Sequence, residues 1–194
     1  MKQKIAIIGK GHVGSALERG LKGAGYETRM TGKGPDVQKT AAWGDVVIWA
    51  VPFGVSAALA SELGGTLSGK VLVDVTNVLG AQGQLALGYT TSGAEELQKK
   101  VPAAKVVKAF NNVFAQNMAS GTVQGQKIGC FVAADDAAAK SVVLQMARDI
   151  GFDAVDAGPL ANARLLEPLG YLMIQIGYVI NKGLGTAVGM SLTR

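Results

Sequence analysis

A short apolar run that breaks into a G-x-G-x-x-G turn and resumes as a helix leaves few folds open to a chain. Here Ile5-Ala6-Ile7-Ile8 leads into Gly9-Lys10-Gly11-His12-Val13-Gly14, and Ser15-Ala16-Leu17 follows. In a βαβ unit this pattern makes a dinucleotide-binding turn. Gly9 turns the chain sharply, Gly11 lets the backbone approach a pyrophosphate, and Gly14 lets the helix pack against the strand. The helix then offers its unpaired N–H groups and positive dipole end to the phosphates. The rival reading is a tight strand-helix turn that holds no ligand. The apolar strand before the turn and the helical run after it favour binding.

The next strand, within Tyr26 to Thr31, ends without the acid that would accept ribose hydroxyls of a cofactor lacking a 2′-phosphate. Met30-Thr31-Gly32-Lys33-Gly34 stands there instead. A hydroxyl at Thr31 and a cation at Lys33 suit an added phosphate. Val46-Val47-Ile48-Trp49-Ala50-Val51 reads as a parallel strand buried on both faces. Ligands of open parallel sheets lie beyond the carboxyl ends of the strands, so Val51, Pro52 and Phe53 are expected along the cleft. Thr76-Asn77, after the strand Val71 to Val75, occupies the same rim. So does Phe110-Asn111, after Lys105 to Ala109. Leu79 to Ser92 is long enough to be a functional loop or lid. Ile128 to Val132 and Asp153 to Asp156 complete six or seven strands alternating with helices. The expected fold is α/β, a doubly wound Rossmann-like parallel sheet over residues 1–157, with a short C-terminal helical segment over 158–194.

That last segment has a long helical pattern with Leu165, Leu169, Leu172, Ile176 and Ile180 at three- and four-residue intervals, and Pro168 predicts a kink or a start within it. Leu169, Met173 and Ile176 give it more apolar face than one sheet needs, so a homodimer is expected.

Composition bounds the partners. The chain has 194 residues, 48% hydrophobic and 17% charged, which fits one globular domain with at most a small appendage. A net charge of +5 without basic clusters among aromatics suits a small polyanion rather than nucleic acid. The apolar stretch Tyr171 to Ile180 falls short of the roughly 20 residues of a membrane span, so no membrane partner is expected. The start reaches a strand too soon to hold a signal peptide, and Cys130 alone forms no intrachain disulfide. Both point to the cytoplasm.

These motifs together resemble the family of coenzyme F420-dependent NADP oxidoreductases, which includes the cytosolic domain of the STEAP metalloreductases. The resemblance rests on Ile7 to Gly14, Val51-Pro52-Phe53, Asp74-Val75-Thr76-Asn77, Val107-Lys108-Ala109-Phe110-Asn111 and Asp156 to Arg164. It implies NADP on the residues from Gly9 to Gly14 with Thr31 and Lys33. Pro52, Asn77, Phe110 and Asn111 would flank the nicotinamide and a second ring system, F420 or a flavin. The acceptor would enter near the start of the C-terminal helix, at Leu160, Asn162 and Arg164, unless Arg164 pairs with Glu167. The chain departs from the archaeal members' serine and two arginines by carrying Gly32-Lys33-Gly34.

No cluster of residues has metal-ligand spacing, and the one histidine, His12, falls in the glycine turn, where loop packing or phosphate contact is its expected role. No catalytic side chain is assigned, because hydride exchange between stacked rings needs alignment and exclusion of water. Two other readings stay open. One is an NADP-dependent dehydrogenase or imine reductase of a small substrate, which usually carries a longer helical domain. The other is a non-catalytic dinucleotide sensor.

Overall fold

A computed structural model describes residues 2–182 and 188–192. The strands β1 (Ile5–Ile8), β2 (Thr28–Thr31), β3 (Val46–Trp49), β4 (Val71–Asp74) and β5 (Lys105–Lys108) pair in parallel in the order β2-β1-β3-β4-β5. Helices α1 (His12–Gly23), α2 (Asp36–Trp43), α3 (Phe53–Leu63) and α4 (Gly93–Lys100) make the crossovers. Successive strand residues face opposite sides, and the core divides accordingly. Ile5, Ile7, Val46 and Ile48 join the layer under α1. Ala6, Ile8, Val47 and Trp49 join the layer under α2, α3 and α4. Both layers are closed, which is why these strands read as continuous apolar runs.

The sheet is seven-stranded and mostly parallel, as the doubly wound reading expects, with one antiparallel pairing that the sequence does not announce. After β5 the chain makes no crossover helix. Residues 109–128 stay at the rim and include a small hairpin, β6 (Thr122–Val123) with β7 (Gln126–Lys127). Strand β8 (Gly129–Ala134) therefore starts beyond the end of β5 and runs against it, pairing only at Val107 with Ala134 and Lys108 with Ala133. Helix α5 (Ala137–Ile150), capped by the Asp136 carboxylate on the Ala139 N–H at 2.7 Å, returns the chain to β9 (Asp153–Asp156), which is parallel to β8. Cys130 lies fully buried on β8, and burial pushes its thiol up to about 12 against the opposing backbone N–H of Phe110.

Because β9 runs away from the rim, the chain has to come back. A short 3-10 turn (Leu160–Asn162) leads into α6 (Ala163–Ile174), which continues as a π-helical turn (Gln175–Ile180). Pro168 sits inside α6 without ending it. Its missing N–H leaves the Arg164 carbonyl without a helical donor, and the Tyr89 N–H approaches that oxygen at 3.4 Å. The 79–92 loop is thereby docked on α6. It is also bridged internally between Leu79 and Leu85. None of the described helices is long and apolar enough to cross a membrane. Residues 183–187, 193 and 194 of the expected C-terminal segment lie outside the described residues.

Candidate functional site

Gly9 leaves β1 with φ of 125° and donates its N–H to the Thr31 carbonyl at 2.8 Å. A Cβ at Gly9 would lie 2.1 Å from the Ala50 carbonyl oxygen, and one at Gly14 would lie 2.0 Å from the Gly9 carbonyl oxygen, so both positions require glycine. Gly11 differs. A Cβ there would meet nothing within 4 Å, so the space above its backbone is open. Gly11 is the N-cap of α1, with no side-chain cap and no acid in the first turn. The first N–H groups of a twelve-residue helix therefore face a cleft with their dipole uncompensated. That geometry fits a pyrophosphate.

The cleft holds about 940 Å³ and is lined from Gly9 to Val13, by Gly32-Lys33-Gly34-Pro35, by Val51 and Pro52, and by Val75, Thr76 and Asn77. That volume suits a cofactor, and the lining takes in both Lys33 and Asn77. Lys33 makes no ion pair among the described residues, and Glu62 is the one acid in the lining. Thr31 is not where sequence placed it. Its side chain is buried, being the inward residue of β2, and its backbone rather than its hydroxyl serves the turn.

At the Asn77 end, the amides of Asn77 and Asn111 hold each other. The Asn77 Nδ2 donates to the Asn111 carbonyl at 3.1 Å, and the Asn111 Nδ2 donates to Asn77 Oδ1 at 3.3 Å and to the Leu166 carbonyl at 2.7 Å. Gly170 of α6 passes directly over the pair, since a Cβ there would lie 2.5 Å from Asn77 Oδ1. Helix α6 thus roofs the rim of β4 and β5 at this point.

Sequence reasoning missed what stands under that rim. Lys108, fully buried on β5, reaches Asp74 Oδ2 at 3.0 Å, Glu167 Oε1 at 2.9 Å and the Thr76 carbonyl at 2.6 Å. Asp74 Oδ1 in turn accepts from the Thr76 N–H and hydroxyl at 3.0 and 2.7 Å. The Glu167 carboxylate also accepts from the Gly93 and Ala94 N–H groups at the start of α4, at 2.8 and 3.2 Å. Burial opposes the charge of Lys108, but Asp74 and Glu167 outweigh it and hold the ammonium above the ordinary lysine value. Burial lifts the Glu167 carboxyl above the usual glutamate range, with Lys108 pulling the other way. This network grips the Thr76 backbone, which lines the cleft. A lysine ending an apolar strand was the available signal, and its two acidic partners are remote in sequence.

Eight expected site residues do not line the cleft: Gly14, which packs against the Gly9 backbone, the buried Thr31 and Asn111, and five more. Phe53 opens α3 and turns its ring toward Gly93. Phe110 adopts φ of 62° as the chain leaves β5, and its ring is fully buried edge-on to Phe152, 5.7 Å between centroids. Leu160 is buried in the layer under α4. The Asn162 amide is held by the Ala157 carbonyl at 2.6 Å. Arg164 pairs neither with a cleft nor with Glu167; its Nε and Nη2 grip the Glu95 carboxylate, the closest contact being 2.6 Å. The reason is the direction of β9. Its exit leaves the start of α6 below the rim, and only from Leu166 onward does the helix reach the strand ends.

Residues 4–78 match the model of the family described as NADP oxidoreductase, coenzyme F420-dependent. Over 179 residues the chain is 31% identical to metalloreductase STEAP3 of Rattus norvegicus, covering 86% of this chain but only 36% of that protein. Over 177 residues it is 29% identical to the F420-dependent NADP reductase of Methanocaldococcus jannaschii, covering 87% of this chain and 76% of the other. A crystal structure from Arthrobacter sp. FB24, described as a candidate F420-dependent NADP reductase, superposes with a TM-score of 0.86 at 27% identity, covering 99% of this chain and all of that one.

Proposed function

As a relative of the coenzyme F420-dependent NADP oxidoreductases, this chain, we propose, exchanges a hydride between NADP(H) and a planar deazaflavin or flavin acceptor. The kinship makes it an NADP-dependent oxidoreductase; F420 as the acceptor is our reading. The observation that carries it is the continuous cleft running from the open backbone of Gly11 to Lys33 on one side and to Thr76 and Asn77 on the other. The bare N-terminus of α1 receives the pyrophosphate, with Gly9, Lys10, Gly11, His12, Val13 and Gly14 around it. Lys33 meets the 2′-phosphate, and Val51 and Pro52 line the cleft between Lys33 and Asn77.

When bound, NADPH would supply a hydride, two electrons with one proton, and be left as NADP⁺, with a proton from solvent completing reduction of the acceptor ring. The protein's part is placement. Asn77, locked to Asn111 and backed by the Lys108 network, fixes the end of the cleft where the nicotinamide lies, and Gly170 closes the roof over it. Residues 1–157 form the part that holds the dinucleotide, and of the segment 158–194 the described helix from Ala163 to Ile180 acts as a strap across the rim. We further propose a homodimer. Leu165, Leu172 and Val179 repeat at seven-residue intervals and are 62%, 53% and 62% exposed, with Ile180 beside them, so they form the free apolar face. Met173 faces inward and does not belong to it. The cytoplasm, where NADPH is maintained, is the setting in keeping with a single buried thiol.

The test is stopped-flow mixing of the protein and NADPH, deuterated at the nicotinamide C4, with F420 or with FMN. We expect bleaching of NADPH and direct passage of the label to the F420 ring. Failure of both acceptors, with oxidation by a small carbonyl or imine, would restore the dehydrogenase reading.

A further inference from the structure

A second cleft, of about 640 Å³, opens on the other side of the glycine turn and shares Lys10, Gly11 and His12 with the first. Its remaining walls are Ser15 and Arg19 of α1, Ala115 and Gln116 of the segment after β5, and Tyr178 of the π-helical turn. His12, Ser15 and Arg19 stand three and four residues apart, so they share the helix face opposite the one that buries Leu17 and Leu21. Three of the lining residues are basic, and none is acidic. Neither Lys10 nor Arg19 takes part in an ion pair among the described residues, and Glu18, the nearest acid in sequence to Arg19, is engaged by Lys22 at 3.0 Å.

The far wall is built rather than incidental. Gln116 Nε2 donates to the Tyr178 hydroxyl at 3.0 Å, and the Tyr178 ring stands edge-on to Phe114, 5.1 Å between centroids. Gly177 lets the helix come this close, since a Cβ there would lie 2.5 Å from the Phe114 ring. Tyr178 thus keeps an exposed aromatic face on the wall facing the basic residues of α1.

We infer that this second cleft holds the anionic, phosphate-bearing side chain of the hydride acceptor, bound by Arg19 with Lys10 and His12 and bordered by Tyr178. The inference rests on the oxidoreductase reading above and moves the acceptor away from Leu160, Asn162 and Arg164. A cationic pocket that shares Lys10, Gly11 and His12 with the dinucleotide cleft gives two anionic cofactors separate phosphate sites on either side of one turn.

The experiment compares acceptors that differ only in the anionic group: FMN against riboflavin, and F420 against its chromophore lacking the phosphate tail. Equilibrium binding to protein loaded with NADP⁺ is read by fluorescence, and steady-state KM is read with NADPH. We expect Arg19→Ala to weaken FMN or F420 by roughly 10-fold or more, as loss of a charge-assisted contact does. Riboflavin, the tailless deazaflavin and NADPH should stay within about twofold, and Arg19→Lys should recover most of the loss. A tail effect confined to the deazaflavin pair or to the flavin pair identifies which source the cleft takes. Equal weakening of tailed and tailless forms, no weakening of either, or a matching loss of NADPH affinity overturns the inference. The binding arm needs no turnover. Absence of hydride transfer in the unmodified protein would therefore remove the oxidoreductase reading while leaving the anion site to be decided by Arg19→Ala. Circular dichroism of the variant separates either result from misfolding.

Discussion

The Lys108 ammonium on the sheet and the Glu167 carboxylate on α6 lie 2.9 Å apart with both side chains fully buried. One ion pair thereby ties the rim of β5 to the helix that roofs the cleft, and through Gly93 and Ala94 to the start of α4. Removing one member strands a charge away from water. Lys108→Met, which leaves Asp74 and Glu167 facing each other without a cation, should cost about 3 to 5 kcal/mol in denaturant unfolding. A loss well under 1 kcal/mol would show the pair to be hydrated.

Lys33 is the one lysine at the adenosine end of the cleft beyond the glycine turn. Lys33→Ala should reduce the preference for NADPH over NADH by about 1 to 3 kcal/mol, the worth of a hydrogen bond to a charged group. Titration of both cofactors measures it. Equal affinities in the unmodified protein would refute the 2′-phosphate assignment.

Gly170 carries no side chain because Asn77 and Asn111 occupy the space. Gly170→Ala should destabilise the protein by about 1 to 3 kcal/mol through overpacking, and should lower kcat more than it raises the KM for NADPH, because the disturbed amides lie at the nicotinamide end. A fully stable variant with unchanged kcat would mean that α6 does not control that end.

Arg164 holds Glu95 below the usual glutamate value of about 4.5, chiefly through its hydrogen bonds and against partial burial. The backbone N–H of Gly158 and then Lys140 hold Asp156 low, and Lys2 does the same chiefly for Asp149. A carboxylate whose value is lowered by folding adds stability above its unfolded value, and that stability is lost as pH falls through its folded value. Stability should therefore decline below about pH 4.5. Arg164→Ala should lower the unfolding midpoint at pH 7 and converge with the unmodified protein in acid, once Glu95 is protonated in the folded state. A midpoint difference that persists unchanged in acid would assign the effect of Arg164 to packing.

Leu172 lies in the middle of the exposed stripe from Leu165 to Val179. Sedimentation at micromolar concentration should show a dimer, and Leu172→Lys should shift it to monomer while leaving NADPH affinity unchanged. A monomer in the unmodified protein overturns the dimer.

Local chemistry made much of this protein legible without coordinates. The glycine turn was readable because steric demand acts within a few residues: Gly9 and Gly14 are required by Ala50 and by the turn itself. The parallel strands were readable because burial on both faces leaves an unbroken apolar run, as in Val46 to Trp49. Lys33 and the missing acid beside it were readable because the end of β2 has a set place in the fold. Thr31, Phe53 and Phe110 were misplaced because position along a strand end says where a residue is but not which way its side chain turns. Tertiary structure alone decided the rest. The reversal of β8 depends on residues 109–128 forming no crossover helix, and that reversal put Leu160, Asn162 and Arg164 below the rim and Gly170 over it. The burial of Lys108 depends on Asp74 and Glu167, which stand 34 and 59 positions away in sequence and meet only when α6 closes on the sheet. Charge partners at such separations leave no periodic trace, because their pairing is an outcome of packing and not of neighbouring residues.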